Sequence, residues 1–154
     1  MDYFSIDDIL MNETKIKVKF RNKINNFGFY LSESTKDIDE NKNVELPYFL
    51  IKFLIENKHC EAVEEILPKE IKNELKACSS IVCLNQIYPY FYLFLSNFDD
   101  TKEFARDILI ERISKFSKMI IKENLDEDDI YFMDQSEKKV LLSAREFFKR
   151  YSEE

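Results

Sequence analysis

Thr14-Lys15-Ile16-Lys17-Val18-Lys19-Phe20 decides the fold. Apolar and charged residues alternate strictly along it, the period-two signature of a strand with one face covered and the other in water. From Glu45 almost to the end, apolar residues recur instead every three to four positions, the spacing of helices. A mainly α protein is therefore predicted, an irregular helical bundle preceded by a small β-rich module.

Working outward, Ser5-Ile6-Asp7-Asp8 fits a helix-capping box with Asp in place of Glu, opening a short helix that reaches about Met11. Phe27-Gly28-Phe29-Tyr30-Leu31 reads as a second strand around the single glycine, where a bulge or close backbone approach is expected. Residues 32–43 are charged and aperiodic and make the natural linker. Glu45-Leu46-Pro47 opens a helix to about Asn57 that is apolar around much of its circumference, as a thoroughly buried helix would be. Pro68 starts a helix to about Ala77, and Tyr88-Pro89-Tyr90-Phe91-Tyr92-Leu93-Phe94-Leu95 reads as another. Acidic capping boxes at 100–103 and 134–137 launch two long helices. One carries Ala105, Ile108, Leu109, Ile113, Phe116, Met119 and Ile120 on a stripe, and the other Val140, Leu141, Ala144, Phe147, Phe148 and Tyr151. Residues 125–129 form an acidic turn or short helix between them.

Composition bounds the chemistry. Hydrophobic residues make up 45% and aromatics 14% of 154 residues, enough for a packed core, so global disorder is not expected. A net charge of -7 repels phosphate backbones and argues against autonomous nucleic-acid binding. The local basic run Lys15, Lys17, Lys19, Arg21 and Lys23 reads as the solvated face of an edge strand, where lysines deter aggregation; a phosphate-binding stripe is the sharper alternative. No signal peptide or membrane-spanning stretch is expected. Three cysteines and one histidine fit no zinc module and suggest free thiols in a reducing compartment. One glycine rules out a glycine-rich phosphate loop. His59 beside Cys60 could be a thiol nucleophile and its base, but sequence neighbours seldom converge that way, and a helix-end histidine beside a buried cysteine explains both. The acidic pairs sit mostly at helix starts and read as caps rather than cation ligands. No catalytic, cofactor or metal residues are therefore expected. The aromatic residues exceed what one inward face of a small bundle needs. Either they are all core, or some are covered by another protein.

The order of segments resembles the GINS family of eukaryotic replication factors, and within it the Psf-three branch (third partner of Sld-five). The resemblance rests on Tyr3-Phe4-Ser5-Ile6-Asp7-Asp8-Ile9-Leu10, the Lys-rich strand to Phe20, Phe27-Gly28-Phe29-Tyr30-Leu31, Val44-Glu45-Leu46-Pro47-Tyr48-Phe49-Leu50, Glu56-Asn57-Lys58, Leu67-Pro68 and Tyr88-Pro89-Tyr90-Phe91-Tyr92. It implies a β-rich B-type module with its linker over residues 1–42 and a helical A-type domain over 43–154. It also implies a nuclear, non-enzymatic subunit of a heterotetramer, a scaffold for the replicative helicase in chromosomal replication. The implied partners are the three other GINS subunits, the MCM helicase ring and its DHH-fold partner, and indirectly the replicative polymerase. No cofactor, no membrane and no direct sequence-specific nucleic-acid contact are implied. Tyr48, Phe49, Phe53, Tyr90, Phe91, Phe94 and Phe116 are then candidates for the subunit interface. The alternative from the residues alone is a free-standing helical adaptor that takes peptides in an aromatic groove.

Overall fold

The computed structural model describes residues 5–28, 37–122 and 124–152. The chain divides into two compact units, residues 1–68 and 69–154, and is mostly helical with one three-stranded antiparallel sheet near its start.

In the first unit, α1 (Ile6–Asn12) is capped by Ser5, whose hydroxyl accepts the Asp8 amide at 3.4 Å. The alternating stretch forms β1 (Lys15–Phe20), with Ile16, Val18 and Phe20 turned into the core. It is the central strand, not an edge: β2 (Asn43–Pro47) pairs on one side and β3 (Cys60–Ala62) on the other. The helix expected from Glu45 is a strand up to Pro47. Val44 and Leu46 alternate with Glu45 and cover the sheet's inner face opposite Val18 and Ile16, and α2 (Tyr48–Glu56) starts only after Pro47. Phe27 and Gly28 lie in no strand, and 29–31 fall outside the described residues, as do residues 32–36 of the expected linker. A lone bridge joins Ile24 to Ile38.

Nor is α2 thoroughly buried. Tyr48, Ile51 and Leu54 face inward, while Phe49 and Phe53 lie on the opposite side in water. The helix ends in a Schellman turn. The Lys58 amide donates to the Ile55 carbonyl and the His59 amide to the Leu54 carbonyl, each at 2.9 Å, with Lys58 at φ 59°.

The second unit is all helix: α3 (Lys69–Cys78), α4 (Leu84–Ile87), α5 (Phe91–Leu95), α6 (Asp99–Ile120), α7 (Glu127–Tyr131) and α8 (Gln135–Ser152). The aromatic run becomes a turn at Pro89 and Tyr90 followed by the short α5, because Tyr90 leaves helical geometry at φ -116°, ψ 53°. Phe91, Phe94 and Leu95 are sealed in the core, with the Phe94 ring 4.4 Å from that of Tyr88 and 5.3 Å from that of Phe98. The expected box at 100–103 does not form. Phe98 is the N-cap without a side-chain bond, and Thr101 instead donates its hydroxyl to the Leu95 carbonyl at 3.0 Å. Both later acidic devices do form, at Asp126 with Asp129 and at Asp134 with Glu137. Among the described residues, no helix is long and apolar enough to cross a membrane.

Candidate subunit interface

From Lys17 onward the basic run is matched by carboxylates where it stands. Lys17 lies opposite Glu45 and Lys19 opposite Glu61. Arg21 pairs with Glu61 at 2.8 Å, Lys17 with Glu64 at 3.6 Å and Lys23 with Asp37 at 3.3 Å. Cross-strand carboxylates thus convert the would-be phosphate stripe into a mixed-charge, solvated sheet face.

The His59–Cys60 pair is separated by the same local folding. His59 is exposed at the Schellman exit of α2, while Cys60 is buried in β3. Burial pushes the Cys60 thiol up, against a weaker pull from Arg21. A nucleophilic cysteine needs the opposite shift. All three cysteines are unpaired.

The seven aromatic candidates scatter. Phe91 and Phe94 are fully buried within this chain and offer a partner no surface, and Tyr48 is buried beneath α2. Phe49 and Phe53 stand in water on the first unit, Phe53 at 65% exposure. Tyr90 and Phe116 are half-buried in the second unit. The seven therefore do not make one surface.

What the second unit does present is a face built on α6 and α8. The two helices run in the same direction, since Arg112 meets Glu137 and, further along, Arg145 donates to the carbonyls of Met119 and Lys122, each at 2.6 Å. The join is polar and fully buried. The Arg112 Nε donates to Glu137 Oε1 at 2.7 Å and Nη2 to Oε2 at 3.1 Å. The same guanidinium donates to the carbonyls of Ser79, Val82 and Phe132, and the Tyr92 hydroxyl donates to Glu137 Oε1 at 2.6 Å. Burial, with the Glu137 carboxylate second, pushes the Tyr92 hydroxyl far above the usual phenol range. Asp134 completes the cluster. It exchanges bonds with Glu137 through backbone amides at 2.8 and 3.2 Å, but its Oδ2 has no hydrogen-bond partner and is buried. Burial raises its carboxyl from 3.8 to about 6, outweighing nearby donors.

Beside this join lies an apolar groove of about 80 Å³, lined by Leu109, Ile113, Phe116 and Ile120 of α6 and by Val140 and Ala144 of α8. The apolar surface continues along α8 through Phe147 and Tyr151, whose rings lie 4.5 Å apart and which are 63% and 65% exposed. Of the two stripes expected from the spacing, only Ala105, Ile108 and Leu141 are buried; Met119 is half-buried, and the rest of each stripe edges this groove or stands in water. Val140, Phe147 and Tyr151 thus leave apolar surface of α8 open to water. Arg112 itself had a signal in the sequence. It falls in helical register with Thr101, Ala105 and Ile108, on the core side of α6.

Residues 4–56 match the PSF3 N-terminal domain, a stretch that holds α1, the first two strands and α2. The N-terminal third of the chain thus resembles the PSF3 family of GINS proteins. Similar to this chain are the "DNA replication complex GINS protein PSF3" of Kluyveromyces lactis, 26% identical over 73% of this chain and 71% of that protein, and the human protein of the same name, 26% identical over 77% and 62%. The "Probable DNA replication complex GINS protein PSF3" of Dictyostelium discoideum is 34% identical over 59% of this chain and 35% of its own length. The matched stretch thus spans seven tenths of the first relative but less than two thirds of the other two.

Proposed function

We propose that this chain is a PSF3-type, non-catalytic subunit of a heterotetrameric GINS complex, a scaffold that helps join and activate the replicative MCM helicase during initiation and elongation of chromosomal replication. Its direct partners are the three other GINS subunits. The MCM ring, its DHH-fold partner and, indirectly, the polymerase are reached through the assembly, in the nucleus. The sequence sets the boundary between the B-type module with its linker and the A-type helical domain at 42/43; on this reading the compact units 1–68 and 69–154 take those two roles.

One observation carries the reading: α6 and α8 are locked together by a fully buried ion pair yet leave Val140, Phe147 and Tyr151 in water. A rigid join beside an uncovered apolar face suits an obligate subunit, whose missing surface is supplied by its neighbours. Mechanism here is positional. Burial of that face fixes the subunit in one arrangement, and no bond is made or broken by its side chains. Co-expression with the other three subunits, followed by native mass spectrometry, tests this. A single 1:1:1:1 species, with the chain poorly soluble alone, is expected. A soluble monomer that ignores all three would overturn the reading and favour a free-standing peptide-groove adaptor.

A further inference from the structure

Two thiols of the second unit open onto one groove. Cys78 closes α3 and Cys83 precedes α4. Together with Ala77, Ile81, Val82 and Ile87 they line a groove of about 570 Å³, and both are half-buried. The chain between them folds back on itself. The Ile81 amide donates to the Cys78 carbonyl at 3.3 Å, and the carbonyls of Ser79 and Val82 converge on Nη1 of Arg112. The scaffold role uses neither sulfur.

The two sulfurs are held differently. Cys78 Sγ lies 3.4 Å from the Ser80 hydroxyl. That hydroxyl, with the Ser80 and Ile81 amides and Lys115, holds the Cys78 thiol below its ordinary value against the opposing effect of burial. The Cys83 thiol instead donates to the Tyr131 carbonyl at 3.4 Å. Cys78 is therefore the sulfur that attacks first, and Cys83 the one that follows. An accessible thiolate with a second thiol on the same groove is the arrangement of reversible redox cysteines. Cys60 is the opposite case, buried in β3 with its thiol pushed up.

We propose that Cys78 and Cys83 form a reversible disulfide when the chain meets a small-molecule disulfide of the glutathione type. The Cys78 thiolate attacks one sulfur of the small disulfide, whose S–S bond breaks; one small thiolate leaves and Cys78 carries a mixed disulfide. Cys83 then leaves the Tyr131 carbonyl, gives its proton to water and attacks the Cys78 sulfur, expelling the second small thiolate. In sum the two protein thiols lose two electrons and two protons, and the small disulfide becomes two thiols. The new bond ties the ends of the turn that supplies two of the carbonyls around Arg112. The proposal does not rest on the subunit reading, because both sulfurs belong to this chain.

The full chain, purified from the co-expressing cells, is equilibrated in glutathione buffers of rising disulfide-to-thiol ratio and its remaining thiols are blocked with N-ethylmaleimide. Peptide mass spectrometry should find Cys78 joined to Cys83 and Cys60 carrying the maleimide, and dithiothreitol should restore both thiols. Cys83→Ser should stop at a glutathione adduct on Cys78, while Cys78→Ser should form adducts at least about tenfold more slowly. If the wild-type chain carries maleimide on both Cys78 and Cys83 at every ratio that spares Cys60, or keeps glutathione on Cys78 without closing the bond, the proposal is overturned. Both of those results are read on the wild type, so a variant that fails to fold leaves the test intact.

Discussion

Replacing Asp134 by Asn, its neutral isostere, should change how stability depends on pH. The native carboxyl is raised to about 6 from 3.8, with burial as the first cause. The folded state therefore holds a proton that the unfolded chain releases at lower pH. Stability is fully present below pH ~4, falls as pH rises, and the loss is complete above pH ~6; two units at about 1.4 kcal/mol each give about 3 kcal/mol. Asn keeps the bond that Oδ1 accepts from the Glu137 amide and has no charge to bury. Urea unfolding followed by circular dichroism at micromolar protein, from pH 4 to 7.5, reads the difference between variant and wild type. Other titrating groups cancel in that difference. The stability of Asp134→Asn relative to wild type should grow by about 3 kcal/mol between pH 4 and 7. Two curves running parallel across the range would refute the claim that this carboxyl is buried and proton-holding.

Arg112→Met leaves Glu137 buried without its cation and should cost about 3–5 kcal/mol, whereas Arg112→Met/Glu137→Leu should recover much of that loss, both read by denaturant midpoints. Phe94→Ala should cost about 3–5 kcal/mol, while Phe53→Ser on the exposed side of α2 should stay within about 0.5 kcal/mol, so a large loss at Phe53 would mean that this face is covered within the chain. Because Lys17 and Lys19 face carboxylates across the sheet, Lys17→Ala/Lys19→Ala should leave any weak DNA binding and its salt dependence unchanged in a fluorescence anisotropy titration.

Much of the fold was legible because patterning is local. Strict alternation found β1, the spacing of apolar residues found α6 and α8, and the acidic boxes at 126–129 and 134–137 were visible as caps. What stayed hidden depends on partners distant in the chain. Val44-Glu45-Leu46 is too short to declare itself a strand, and becomes one because β1 needs a neighbour opposite Ile16 and Val18. The same missing neighbours made β1 look like an edge. Periodicity gave the apolar stripes of α2, α6 and α8 but could not say how much of each this chain covers, so Phe53, Phe91 and Phe94 were grouped as interface candidates although Phe53 stands in water and Phe91 and Phe94 are sealed in the core. Arg112 was readable from its register, but the carbonyls of Ser79, Val82 and Phe132 that make its burial tolerable come from loops no pattern links to it.

The central claim is that the chain joins its assembly through the α6–α8 face. The most direct measurement is a pull-down on another GINS subunit from cells co-expressing all four, with this chain carrying Val140→Asp/Phe147→Asp. Both positions are mostly in water, so the variant should keep its helical circular dichroism and melt within about 1 kcal/mol of wild type. The account predicts that the variant is lost from the recovered complex while Phe53→Ser is retained. Full recovery of a folded Val140→Asp/Phe147→Asp chain at wild-type yield would contradict it.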